Sequence, residues 1–197
     1  MNLRTLGLLA ACLTVPGLAH AAADATNNDV FDYNVLQVER LHEHSDFFAD
    51  SSGGTGLRFA YDMEGGVYVF GQWHKLDFDT LGGGHTLQGI GVGAHQAYSS
   101  TTSFYIDLSF MRDALDSSLG GIADNYWRVS YGFRNHSTDL IEVEGGIFTE
   151  RNTSFGGRPF GERLGLGFDF TGFDLKAAVE HAADGNRTML TLSWNYR

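Results

Sequence analysis

From Ser103 to Asp113 the chain reads SFYIDLSFMRD. Phe104, Ile106, Leu108 and Phe110 fall on one face of an extended chain, and Ser103, Tyr105, Asp107 and Ser109 fall on the other. A period of two is the mark of a β-strand. The rhythm recurs and predicts ten strands, near 32–41, 55–62, 66–76, 86–97, 102–112, 124–134, 139–150, 161–170, 172–181 and 187–197. Most have the roughly 9–11 residues that a tilted strand needs to cross a bilayer. The connections MEGG, YSST, NHST and the bend at 170–173 are tight. HEHSDFFADSSGG, DFDTLGGGH, DALDSSLGGIA and RNTSFGGRPF are long, with AADGN the short member of that set. An even strand count with turns at one end and loops at the other predicts a single closed antiparallel barrel. Ten strands is the expected count and eight the alternative.

The next question is which face meets water. One parity is apolar in strand after strand: Leu57/Phe59/Tyr61, Ile90/Val92/Ala94, Trp127/Val129/Tyr131/Phe133, Leu164/Leu166/Phe168/Phe170, Phe173/Leu175/Ala177/Val179 and Leu190/Leu192/Trp194/Tyr196. The other parity mixes small residues with charges of both signs. It supplies the bases Arg58, Arg128, Arg134, Arg163 and Lys176, and the acids Asp62, Asp107, Glu142, Glu144, Asp169, Asp174 and Glu180. Glycines among paired charges suit a crowded polar interior better than a solvated surface. The apolar face is therefore expected to meet lipid, as in a transmembrane barrel, with aromatics near the strand ends forming an interfacial girdle. A soluble lipocalin-like barrel is the alternative. In 66–76 both parities are apolar (Val67/Val69/Trp73 and Tyr68/Phe70), so its phase stays open.

A small barrel with this inner face is expected to be filled by its own side chains. The expected lumen network comprises Arg58, Asp107, Arg128, Arg134, Glu142, Glu144, Arg163, Asp169, Lys176 and Glu180, with Arg128 and Arg134 facing Glu142 and Glu144 on the next strand. Buried charges need such partners, since an isolated one costs several kcal/mol after relaxation.

The N-terminus changes the picture. Arg4, an apolar stretch over Leu6–Leu18 and Ala19-His20-Ala21 predict a signal peptide at 1–21, leaving 22–197 as the barrel domain. A lipoprotein reading at Leu9-Ala10-Ala11-Cys12 would leave too short a leader. Loss of Arg4 takes the net charge from −11 to −12, which argues against nucleic acid as a partner. Loss of Cys12 removes the only cysteine.

The stretches GLRFAYD, VYVFGQWHKLDFD, YGFRNHSTDLIEVEGGIF and the closing TLSWNYR resemble the small outer-membrane β-barrel proteins of Gram-negative bacteria. The likeness covers the mature chain and lies within the opacity-type and OmpA-type group, nearest to the barrels of similar length common in xanthomonads. It implies an outer-membrane location, turns in the periplasm and loops outside. It implies lipopolysaccharide and outer-membrane lipids as surroundings, and the barrel-assembly machinery as a partner during insertion. The terminal aromatics that this machinery reads are here Trp194 and Tyr196, followed by Arg197.

Candidate chemistry is sparse. His136-Ser137 is similar to the residue pair of lipid A deacylases, but lies in an expected periplasmic turn without the surrounding motif. His42, His44 and Asp46, and His74, Asp77 and Asp79, lie toward the expected outer rim without forming a triad. The N-x-S/T sequons at Asn135, Asn152 and Asn186 carry no meaning in a bacterial envelope, and Gly89–Gly93 is strand rather than phosphate loop. No cofactor or catalytic set is expected, and the reading is of a non-enzyme with a structural or surface-interaction role. An enzyme acting on lipid A or peptides and a narrow channel are the alternatives. The outer ends carry Glu43, Asp46, Asp50, Asp77, Asp79, Asp113, Asp116, Asp124, Glu162 and Asp184 against Lys75, Arg112, Arg151, Arg158 and Arg187, an excess that suits divalent cations at the loops.

Overall fold

The computed structural model describes residues 31, 33–45, 50–63, 65–80, 82–116, 121–152, 160–183 and 185–195. The expected leader, with Cys12, lies outside the described residues, as do Asp46, Arg158, Asp184, Tyr196 and Arg197. The ten strands are β1 (Val35–Ser45), β2 (Asp50–Met63), β3 (Val67–Phe78), β4 (Gly84–Ser99), β5 (Thr102–Asp116), β6 (Ile122–His136), β7 (Ile141–Asn152), β8 (Gly161–Phe170), β9 (Phe173–Ala182) and β10 (Gly185–Asn195). Each pairs antiparallel with the next and β1 closes on β10, so no edge is left open.

Stepping from Glu39 along the hydrogen-bonded register reaches β6 at Asp124 in one direction and at His136 in the other, twelve residues apart. That offset is the shear. With ten strands it implies a tilt of about 40° and a backbone radius of about 10 Å. Such a cylinder leaves room for side chains and little more.

The alternation decides what fills it. Phe104, Ile106, Leu108 and Phe110 point outward, while Ser103, Tyr105, Asp107 and Ser109 are buried inside. Outward residues stay bare: Ile90 is 71% and Leu164 65% exposed. β3 now has a phase. Tyr68, Phe70, His74 and Leu76 are buried inside, and Val67 and Trp73 point out.

Two sequence expectations shift. β1 runs over 35–45 rather than 32–41, and β2 begins at Asp50, so most of the expected first loop is strand. His42 and His44 point outward while Glu43 points in, which continues the alternation through residues too polar to read as strand. The inner glycines are also explained differently. Several of them underlie rings from the neighbouring strand: a Cβ on Gly91, Gly93, Gly132 or Gly161 would come within 2.3 to 2.6 Å of Phe70, Tyr68, Tyr105 or Phe148. Each ring lies flat over a glycine, a pairing that pins register. The tight β2–β3 turn places Gly65 and Gly66 at φ of 90° and 74°, where a side chain would be strained.

Candidate functional site

The lumen holds the densest chemistry among the described residues. On the wall from β6 round to β1, side chains form one continuous chain of ion pairs. Arg187 lies 2.7 Å from Glu43 and 3.7 Å from Glu180. Glu180 also meets Arg128 at 2.6 Å and Arg163 at 3.3 Å, and Arg128 reaches Glu150 at 3.2 Å. Arg163 lies 2.9 Å from Glu144, which meets Lys176 at 3.3 Å. Lys176 donates to Glu142, and Arg134 holds both oxygens of Glu142 at 2.8 and 2.9 Å. The register makes this chain. Side chains two residues apart on one strand face the same row on the next, and every member has inward parity.

Most of the expected network residues join this chain, with three differences. Arg128 pairs with Glu150 and Glu180, not with Glu142 or Glu144, because the β6–β7 register sets it directly across from Glu150, toward the loop end. Arg58 and Asp107 stand apart on the opposite wall, 3.7 Å from each other, where the Tyr68 hydroxyl also donates to Asp107. Asp169 pairs with His136 at 3.1 Å, at the turn end. Glu43, Glu150 and Arg187 belong to the chain but escaped the sequence reading. Glu43 and Arg187 looked like loop charges, yet both are buried inside, as is Asp50. The inward parity of Glu142, Glu144 and Glu150 on one strand was the signal that could have found Glu150. His74 also leaves the expected rim: it is buried and hydrogen-bonded to Glu39 at 2.6 Å.

The lumen is not polar throughout. Near the loop end Leu41, Leu76, Leu87, Met111, Tyr126 and Met189 pack together inside the barrel. At the turn end, residues that were expected to open the first strand cross the mouth instead. Tyr33 stacks on His95 at 3.9 Å and on Tyr68 at 4.8 Å. The Arg134 guanidinium lies 4.6 Å from the Phe31 ring and 5.4 Å from the Tyr33 ring, within cation–π range.

The space left between the walls is a cavity of about 120 Å³, bordered by Glu39, Arg58, Tyr105, Asp107 and Arg128. That suits a few ordered waters and falls below the roughly 300–1,000 Å³ of small-molecule sites. A wider cleft of about 520 Å³ at the turn end is bordered by Phe31, Arg134, His136, Glu142 and Asp169. His136, Glu142 and Asp169 bring ligand-type atoms within 4.8 Å of one another. Both Glu142 oxygens are already taken by Arg134, so this is an ion-pair cluster before it is a metal site. His136 and Ser137 face different partners: Ser137 Oγ donates to Asn135 Oδ1 at 3.1 Å, and His136 pairs with Asp169 at 3.1 Å.

Fold and lumen together define a ten-stranded antiparallel barrel with an apolar exterior and an ion-paired interior. No protein-family model matches the chain, and no curated protein matches it. Among solved structures it is similar to the NanC porin, at 11% identity and a TM-score of 0.51, covering 82% of this chain and 100% of that one. It is also similar to the KdgM porin (9% identity, TM-score 0.47, 82% and 99% covered). A third likeness is to the N-terminal β-barrel domain of Pseudomonas aeruginosa OprF (10% identity, TM-score 0.47, 84% and 100% covered). At these identities the likeness is one of fold.

Proposed function

We propose that this chain is an outer-membrane β-barrel, exported by its signal peptide, whose lumen is closed by its own side chains. Its role is structural or one of surface interaction, without catalysis, among lipopolysaccharide and outer-membrane lipids. The observation that carries the closed lumen is the ion-pair chain from Glu43 to Arg134, backed by an apolar layer and by Tyr33 across the turn-end mouth. Planar-bilayer recording of the purified barrel tests it. The expected result is no large, stable conductance; a steady open pore would overturn it in favour of a channel.

The membrane reading rests on the bare apolar band. With the shear taken into account, the band from Phe170 to Trp127 is roughly 20–25 Å tall, close to the height of a membrane barrel's apolar belt. Leu166 points outward near its middle. Leu166→Arg is expected to destabilise the barrel in vesicles by about 2–4 kcal/mol. Urea unfolding followed by tryptophan fluorescence would read this, since Trp73, Trp127 and Trp194 all point outward. An unchanged midpoint would mean that this face does not meet lipid.

A further inference from the structure

The described basic residues divide into two groups. Arg58, Arg128, Arg134, Arg163, Lys176 and Arg187 face the lumen. The others, Arg40, Lys75, Arg112 and Arg151, all point outward and all lie toward the loop end. None points outward toward the turn end. Outward acids toward the loop end are Asp77 and Asp116, further out on the same strands as Lys75 and Arg112; Glu162 on β8 lies about two residues lower than Lys75 once the shear is taken into account.

Height along the barrel axis sharpens this. The shear raises the register by about 1.2 residues per strand. After that correction, the Cα atoms of Lys75 on β3, Arg112 on β5 and Arg151 on β7 lie within about one residue of one level. Arg40 starts lower, among apolar neighbours, but reaches up: its Nη2 lies 3.7 Å from the place a Cβ would occupy on Gly53. Gly53 is at that same level on β2, paired with Asp77 and His42. The guanidinium lies in ordinary van der Waals contact with the Gly53 position, at the level of the other cations. Four cations on alternate strands therefore share one belt, just above the apolar band. Outward Thr55, Gln88 and Asn125 lie beside them as further hydrogen-bonding groups.

We infer that this belt is a binding site for the phosphate groups of a phosphorylated lipid in the leaflet on the loop side. The inference rests on the membrane reading above. Its occupant follows from charge and depth. A protein of net charge −11 holds its outward cations at one depth on one side, where lipid headgroups begin. Arginine and lysine there meet phosphate by charge-assisted hydrogen bonds, and long basic side chains reach an interface from apolar surroundings. Asp77 and Asp116, further out on β3 and β5, repel phosphate and so confine it to the belt there.

The test uses the refolded full barrel in detergent micelles, with calcium and with EDTA in parallel. Native mass spectrometry would count bound lipopolysaccharide and, separately, the same lipid with its phosphates removed. The barrel is expected to prefer the phosphorylated form by roughly tenfold or more, and Arg40→Gln/Lys75→Gln/Arg112→Gln is expected to abolish the preference. Equal binding of the two lipids would overturn the proposal, as would a preference that vanishes in EDTA, which would assign binding to cations bridged by the acids. The wild-type comparison stands even if the variant does not fold. A barrel recovered in water without detergent would instead fail the membrane reading itself.

Discussion

Glu142→Ala is expected to lower the stability of the barrel by about 3–5 kcal/mol, the usual cost of removing one partner from a buried ion pair. Glu142 is 1% exposed and is shared by two cations. Lys176 would keep Glu144 at 3.3 Å. Arg134 would lose its bidentate partner and retain the rings of Phe31 and Tyr33. An arginine held against rings without a carboxylate is a buried charge with poor compensation. Urea unfolding in phospholipid vesicles would measure the loss. A change below about 1 kcal/mol would mean that lumen water already solvates Arg134 as well as Glu142 does.

Glu180→Ala is expected to have an effect of similar size by a different route. Glu180 touches Arg128, Arg163 and Arg187, each of which keeps a second acid: Glu150, Glu144 and Glu43. No arginine is orphaned. Instead three guanidinium groups lose the negative charge that lies between them, and repulsion at short range replaces attraction. A loss of about 3–5 kcal/mol is expected from breaking the buried hub. A double replacement, Arg128→Met with Glu180→Leu, removes a cation together with the acid and is expected to recover much of that loss, because well-packed apolar pairs often equal buried ion pairs. If the double variant is no more stable than Glu180→Ala, packing rather than charge explains the loss.

These two variants separate what was legible in the chain from what was not. The lone strand over Ser103–Asp113 already showed which residues face each other and which face away, because side-chain direction in a strand depends only on parity. Ten strands, their order and an ion-paired inner face therefore followed from the sequence. The acids and bases of the central network could be named for the same reason, since Arg134, Glu142, Glu144, Arg163, Lys176 and Glu180 all carry inward parity. Parity also placed the glycines and paired charges together on one face, which is the inner one.

Which charge meets which was a matter for the closed barrel. Pairing depends on register, a property of two neighbouring strands, and on shear, a property of ten strands joined in a ring; neither belongs to a single strand. The β6–β7 register sets Arg128 directly across from Glu150, and a stagger of about 1.2 residues per strand brings it level with Glu180 on β9. Glu43 and Arg187 lie inside because β1 and β10 extend past the expected strand ends with the alternation intact, and the stagger brings Lys75, Arg112 and Arg151 to one height. The phase of β3 was undecidable locally because Tyr68, Phe70, Val67 and Val69 are all apolar. It was settled by Gly91 and Gly93 on β4, which offer flat ground to the two rings and to nothing larger. The sequence by itself determined the faces of each strand, through a period of two; the tertiary structure decided their contacts, because the register of each strand pair, and the shear those registers sum to, set the relative height of one strand against the next.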